Sequence, residues 1–579
     1  MISFLKFQVL QAFFRTHWLV YFTGVLLLII VDLLQLFIPR IIGKAVDGLL
    51  SSSGEVLWQL LVLTAISCVI AILRYAYREC IMGTTRRLEY YLRKRIFSHA
   101  LRLPMAFFDE HGPGKIMALT TNDVSAVRVA VGLGIMLFVD AVIMGAASLL
   151  VMIKTINWQL AAWTILPLPF IFILVIYMGR FVHDRFRKVQ ENFSAMTEFT
   201  QEVFAGVKII KGFAAEKTTL ERFSSINRAN VAANMEMAQL QAAYMPVTHI
   251  APLSCYAIAL FMGGNLIING TITVGEFAAF SGYLGLIIWP VMGLGYLINT
   301  IQRGTASLNR IADLLEQPAY EGTEAGETDP ATTDSAAITI NDLTFTYPTA
   351  KQPALLQVSL HIPAGAVIGI VGRTGAGKST LLQLLLRLYD PPENAIYVGD
   401  REIHTIAYSE LRQAVGYVPQ DSFLFSKTIA ENIAFEQTYS RAEIEKAAQL
   451  AAIQEAIDDK PMGFGTVLGE KGKKLSGGQQ QRIAIARALI KKPAILLLDD
   501  IFAALDYRTQ AELLANMRHF IANRTTLIVS QRVAAVKAAD VIIVMQEGAI
   551  AEQGTHQQLL AKRGLYYELY EQQLIQGEE

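Results

Sequence analysis

The chain has 579 residues, 53% of them hydrophobic and 17% charged, with 50 basic side chains balanced by 50 acidic ones. That apolar excess excludes a single soluble globule, and zero net charge removes the basic footprint of a nucleic-acid binder. Three cysteines, Cys68, Cys80 and Cys255, are too few and too scattered for a disulfide framework or a zinc site, and the absence of any beyond residue 255 suits a C-terminal half in a reducing cytosol.

In chain order, residues 4–17 mix Phe and Leu with Lys6 and Arg15 and read as an interfacial helix. Six apolar stretches follow, at 18–38, 57–77, 129–152, 160–178, 247–268 and 277–298, each near the ~20 residues needed to cross ~30 Å of hydrocarbon. The first is too long for a signal-peptide core and lacks a small-residue cleavage pattern before Pro39, so it is expected to be retained as an anchor. Arg86, Arg87, Arg93, Lys94, Arg95 and Arg102 crowd the connection after the second stretch, and Arg185, Arg187, Lys188 and Lys208 the one after the fourth. The alternate connections hold only Arg40 and Lys44, or no basic residue at all (155–158 and 269–275). The positive-inside rule therefore puts the basic connections and both termini in the cytoplasm of a multi-pass protein of the inner or plasma membrane. Those connections are helix-patterned and long, so the spanning helices are expected to continue into the cytoplasm.

Residues 316–336 contain six acidic residues, two prolines, two glycines and no Lys or Arg, the composition of a solvated linker. Beyond it, β-patterned runs alternate with helical ones, as in a parallel α/β sheet. The expected architecture is an all-α polytopic membrane domain (1–315) with six transmembrane helices, the acidic linker (316–336), and an α/β P-loop nucleotide-binding domain (337–579).

Gly372, Arg373, Thr374, Gly375, Ala376, Gly377, Lys378, Ser379 and Thr380 complete a GxxxxGK[ST] pattern between a strand and a helix. Such a loop brings backbone N–H groups to phosphate at a helix N-terminus, with Lys378 for the terminal phosphates and Ser379 for Mg²⁺. The pattern also arises as a chance glycine loop, but not ordinarily in that context. The apolar run 495–498 ends in Asp499, at the sheet edge where ligands of α/β folds bind, which makes Asp499 the expected Mg²⁺ partner.

Between these motifs stand Leu475, Ser476, Gly477, Gly478 and Gln479. With this LSGGQ the chain resembles the ATP-binding cassette superfamily, and its order of six spans and one cassette is similar to half-transporters of the exporter class, including P-glycoprotein-type and bacterial multidrug exporters. The resemblance covers essentially the whole chain. It implies ATP and Mg²⁺ as ligands, Tyr347 as the adenine-stacking aromatic, Gln420 as the Q-loop residue and a metal contact, and Asp506 as the D-loop aspartate. It also implies that two cassettes close head to tail, so that Ser476, Gly477 and Gly478 serve a nucleotide held mainly by a partner. Segments 114–124, 205–215 and 466–472 resemble, by position, the stretches that couple cassettes to membrane domains; a plain surface-helix reading stays open.

Two residues depart from the family pattern. Asp500 follows Asp499 where the family has Glu to orient or deprotonate the attacking water, and Gln531 stands at the switch position in place of His. A carboxylate one methylene short stands at the wrong distance for attack, and Gln carries neither proton nor positive charge. Together these departures resemble the degenerate half of heterodimeric bacterial exporters. They predict a second half-transporter as partner, with Glu after its Walker B run and a switch His; a homodimer turning over slowly is the alternative. The expected function is ATP-driven export of hydrophobic or amphipathic compounds through the lipid bilayer, with no nucleic-acid partner. A lipid flippase, a peptide exporter and a regulatory ATP sensor remain alternatives.

Met and aromatic residues suited to a promiscuous apolar pocket gather in the last two spans and their approaches: Tyr244, Met245, Phe261, Met262, Tyr283, Trp289, Met292 and Tyr296. They equally suit lipid-facing or helix-packing positions. Asp32 and Asp140 fall inside spans and read either as contacts for a cationic compound or as polar ties between helices.

Overall fold

The computed structural model describes residues 8–51, 56–320, 336–469, 472, 475–522 and 524–575. Most of the expected acidic linker, 321–335, lies outside the described residues. Chain contacts group into two units, Met1–His99 with Gly114–Gln317, and Ala100–Pro113 with Pro318–Glu579.

The first unit is helical. Among the described residues three stretches are long and apolar enough to cross a membrane, Val9–Leu50, Val56–Ala100 and Pro113–Thr155. The remaining expected spans fall on Trp158–Ile165 with Pro167–Ala205, on Glu216–Ile268 and on Val274–Leu315, a layout that fits six spans. Several side chains there, including those of Tyr244, Met245, Trp289 and Met292, lie outside the described set. The 53 residues of Glu216–Ile268 make a rod of about 80 Å at ~1.5 Å per residue, far more than a bilayer needs.

Pro39 interrupts the first apolar stretch. It has no N–H to donate to the preceding turn, and the chain divides into helices Gln8–Gln35 and Phe37–Leu50. The Leu36 carbonyl at the break accepts the hydroxyl of buried Tyr283 at 2.8 Å. Tyr283 therefore packs and pairs inside the unit rather than lining an open pocket, whereas Phe261 and Tyr296 are exposed. Helices Phe37–Leu50 and Val274–Leu315 cross at Gly43 and Gly275, where an added Cβ on Gly275 would stand 2.0 Å from the Gly43 oxygen. Only glycines permit this approach. Asp47 then accepts the Gly275 N–H at 2.8 Å and the Thr273 hydroxyl at 2.7 Å, capping the incoming helix.

The third apolar stretch includes three π-helical turns, Leu119–Asp123, Ala130–Gly134 and Asp140–Met144. At the first, buried Asp123 accepts the Ser307 hydroxyl at 2.7 Å and Arg310 Nε at 3.2 Å. Removing the guanidinium takes away two donors, Nε and Nη2, and leaves the buried carboxylate only the Ser307 hydroxyl, at a cost of about 1–3 kcal/mol. Arg310→Ala is expected to lower the thermal unfolding midpoint of the purified chain by a few degrees, while Arg303→Ala, exposed on the same helix, leaves it unchanged.

The second unit is built on two sheets. A six-stranded sheet runs Ala549–Gly554, Val541–Gln546, Val367–Gly372, Thr525–Val529, Ile495–Asp499, Val415–Val418, parallel except for the first pairing. A four-stranded antiparallel sheet runs Leu355–Ile362, Ile338–Phe345, Ile396–Val398, Arg401–Glu402. Strands 495–499 and 525–529 are buried at every position, so their apolar runs are continuous rather than alternating. Ala100–Pro113 belongs to this unit. The Tyr389 hydroxyl donates to the Asp109 carboxylate, the Tyr320 N–H donates to the Arg102 oxygen at 2.7 Å, and Ala106 packs on the apolar cluster that contains Tyr389. The stretch 114–124 groups with the first unit, where Asp123 is fastened to Arg310, while helix Met105–Glu110 groups with the second. The stretch expected at 205–215 forms helix Val207–Gly212, flanked by Phe213 at 83% exposure. In the stretch 466–472, Val467 pairs with Thr428, and residues 470–471 lie outside the described set.

Candidate nucleotide-binding site

The strand Val367–Gly372 delivers the glycine loop to the N-terminus of helix Lys378–Leu385. Gly377 turns the chain with φ +92°, and a Cβ there would stand 2.6 Å from the Ala354 oxygen, so only glycine closes the loop. The loop borders a cavity of about 380 Å³ lined by Tyr347, Ala354, Thr374, Gly375, Ala376, Gly377, Lys378, Ser379, Thr380, Gln420, Asp499, Asp500, Val529 and Gln531.

Lys378 is buried, and its ammonium donates to the Gly372 oxygen at 2.8 Å and the Arg373 oxygen at 2.9 Å. Burial pulls it below the ordinary lysine value, opposed by the Asp500 and Asp499 carboxylates. Gly372 and Arg373 thus do not line the cavity; their carbonyls hold the lysine at its edge. The Ser379 hydroxyl donates to Asp499 Oδ1 at 2.9 Å, and the Tyr417 hydroxyl to Oδ2 at 3.4 Å. Burial pushes the Asp499 carboxyl above its usual range, the Ser379 bond counters it, and the charge of Asp500 adds to the rise. A hydroxyl, a carboxylate and the Gln420 amide facing one cavity are an oxygen set that suits Mg²⁺ alongside phosphate oxygens. Tyr347 stands at the rim, its hydroxyl donating to Gln383 Oε1 at 2.9 Å and accepting from the Thr380 hydroxyl at 3.0 Å.

Asp500 sits just past its strand in a left-handed backbone conformation, φ +44°, a region that Asp tolerates better than most residues. Its N–H donates to the Val529 oxygen at 2.9 Å, and its carboxylate accepts the Gln531 N–H at 3.4 Å. Gln573 donates to the Gln531 carbonyl at 2.7 Å and accepts the Val533 N–H at 2.8 Å, fastening the switch backbone from the C-terminal helix.

Residues 21–291 match the family model of the ABC transporter transmembrane region, and residues 355–503 that of the ABC transporter. The chain is 36% identical over 574 residues to the probable multidrug resistance ABC transporter ATP-binding/permease protein YheI of Bacillus subtilis strain 168, covering 98% of this chain and 97% of that one. The chain belongs to the ABC transporter family. It is likewise 36% identical over 577 residues to the multidrug resistance-like ATP-binding protein MdlA of Escherichia coli K12, covering 99% and 97%. It is 32% identical over 499 residues to an ATP-dependent lipid A-core flippase of Photobacterium profundum, covering 85% and 84%. A solved bacterial Atm1-family ABC exporter with ATP bound superposes with a TM-score of 0.77 at 27% identity, covering 97% of this chain and 98% of that one. This ABC half-transporter is therefore a membrane protein whose cassette binds ATP and couples its hydrolysis to export.

The ABC signature forms a group apart from the cavity. Leu475, Ser476, Gly477, Gly478 and Gln479 do not line it. Ser476 accepts the Gln479 N–H at 3.3 Å in a capping box that starts helix Gly477–Leu489, and Ser476 and Gly477 are exposed. Asp506 caps the next helix through the Thr509 N–H at 3.0 Å and also stands outside the cavity. Tyr417, Ala354, Val529 and Gln573 escaped sequence reasoning. Tyr417 sits three residues before Gln420, a position that only the strand pairing of Val415–Val418 with Ile495–Asp499 brings to Asp499.

Proposed function

We propose that this chain is the degenerate half of a heterodimeric exporter of hydrophobic and amphipathic compounds, and that its own site holds ATP for long periods with little hydrolysis. The observation that carries this is the contrast within one cavity. The binding groups Lys378, Ser379, Thr380 and Asp499 are all present, with Ser379 hydrogen bonded to Asp499 and Lys378 held by the Gly372 and Arg373 carbonyls, while the two positions that act on the attacking water are Asp500 and Gln531. In this reading Tyr347 stacks on adenine, the N–H groups of 374–380 hold the phosphates, and Lys378 meets the terminal ones. Ser379, Gln420 and Asp499 hold Mg²⁺, which supplies charge neutralisation for phosphoryl transfer. The exposed Ser476 and Gly477, with half-buried Gly478, complete the competent site of a partner that carries Glu and His. Both termini and the cassette face the cytoplasm.

The multidrug reading draws on the names of the YheI and MdlA relatives; the flippase relative supports lipid as a second class of cargo. Affinity purification of the tagged chain from its own membranes is expected to bring down one further half-transporter, with Glu after its Walker B run. Recovery of the chain only with copies of itself contradicts the heterodimer. Protection of a pump-deficient host against dyes, without altered lipid distribution, favours the drug reading over the flippase.

A further inference from the structure

Charged side chains from three apolar helices meet in the first unit. Asp32, in helix Gln8–Gln35, is 2% exposed, and that helix packs on the π-helical turn Asp140–Met144, which brings Asp140 to the same place. Arg74, in helix Val56–Ala100, lies between Ile70 and Tyr77, whose side chains join the same apolar cluster. Around them pack Leu28, Val31, Ile70, Tyr77, Met136 and Val139. Asp32 Oδ2 and Asp140 Oδ1 are buried oxygens without a hydrogen-bond donor among the described residues. Tyr77 and Tyr21 are the other titratable groups of this cluster, and the Tyr21 hydroxyl is committed to the Val131 oxygen at 2.6 Å. Helix Val274–Leu315, which packs on the same turn, carries no charged residue between Glu276 and Arg303.

Two carboxylates against one guanidinium leave a single negative charge uncompensated in an apolar setting, and carboxylates in contact do not both stay ionised there. One positive charge completes the set. Asp140 is half-buried and Arg74 exposed, so the cluster opens at the unit's surface. A π-helical turn that widens the helix at Asp140 is a device common at functional sites.

We propose that Asp32 and Asp140 form a cation site for the exported compound. The pair holds one proton between its facing oxygens in the resting chain and exchanges it for the positive centre of a lipophilic cation. One O–H bond breaks, its proton passes to water, one ion pair forms, and the charge of the site is unchanged. This rests on the export of amphipathic compounds proposed above and specifies their class.

The test uses the full chain in lipid nanodiscs, with tetraphenylphosphonium as a permanent cation and Nile red as an uncharged probe, between pH 6 and 8. The wild type is expected to bind tetraphenylphosphonium up to about tenfold more tightly per pH unit as the displaced proton is released. Asp32→Asn and Asp140→Asn are each expected to weaken that binding at least tenfold and to flatten its pH dependence, with Nile red and ATP binding unchanged. Asn variants that bind the cation as the wild type does, or that lose both probes equally, overturn the site. A wild type that binds Nile red but not the cation overturns it too and leaves the export reading standing; one that binds neither probe contradicts the export reading itself.

Discussion

Converting Asp500 to Glu and Gln531 to His together is expected to raise the Mg²⁺-dependent ATPase rate of this chain by on the order of a hundredfold. Asp500 and Gln531 border the same cavity as Lys378 and Asp499, and the Asp500 carboxylate is turned toward the Gln531 N–H. One methylene moves a carboxylate by about an ångström, an error that costs on the order of a hundredfold when the attacking atom must be aligned. Histidine restores a group able to carry a proton and positive charge beside the phosphates, and general acid–base assistance typically contributes ~10²–10⁴-fold. The two gains act on one step and do not multiply freely. Glu at φ +44° fits the left-handed region less well than Asp, so the double variant is expected to lose about 1 kcal/mol of stability at most. Turnover by purified wild type and variant in lipid checks this; a variant no faster than the wild type contradicts the assignment of both positions.

Lys378→Ala is expected to weaken ATP binding about ten- to a hundredfold while leaving the empty chain folded. The buried ammonium is held by the Gly372 and Arg373 carbonyls, so it is already desolvated and needs only to exchange carbonyls for phosphate oxygens. Hydrogen bonds to charged groups contribute about 1.5–3 kcal/mol each, and ~1.4 kcal/mol is a factor of ten in affinity. Arg373→Ala is the matching control, because the Arg373 side chain is exposed and outside the cavity lining. Fluorescent-nucleotide titration of both variants checks the pair; equal losses would mean that general positive charge, rather than the placed ammonium, holds the phosphates.

The parts of the site legible in the sequence are those carried by contiguous residues. The glycine loop, the apolar run ending in Asp499 and the signature at 475–479 each report their own backbone geometry, and the structure brings 374–380, Gln420, Asp499, Asp500 and Gln531 to one cavity. What escaped depends on partners far apart in the chain. Tyr417 reaches Asp499 only through strand register, and Asp109 meets Tyr389 across 280 residues. The transfer of Ala100–Pro113 to the second unit leaves no periodic signal, because a helix of six residues at Met105–Glu110 is too short to show one. The first span divides at Leu36, just before Pro39, and the group that pairs with the Leu36 carbonyl, the Tyr283 hydroxyl, lies 247 residues away in the chain. Arg74 lay in plain view near the end of the second apolar stretch, but its charge gains meaning only beside Asp32 and Asp140.

The central claim is that this chain binds ATP well and hydrolyses it poorly by itself. Its Mg²⁺-dependent ATPase rate, measured on the chain purified alone in lipid with ATP binding recorded on the same sample, tests that claim most directly. The account predicts saturable ATP binding with negligible turnover. Brisk turnover would mean that Asp500 and Gln531 suffice, and that two copies of this chain form a working exporter.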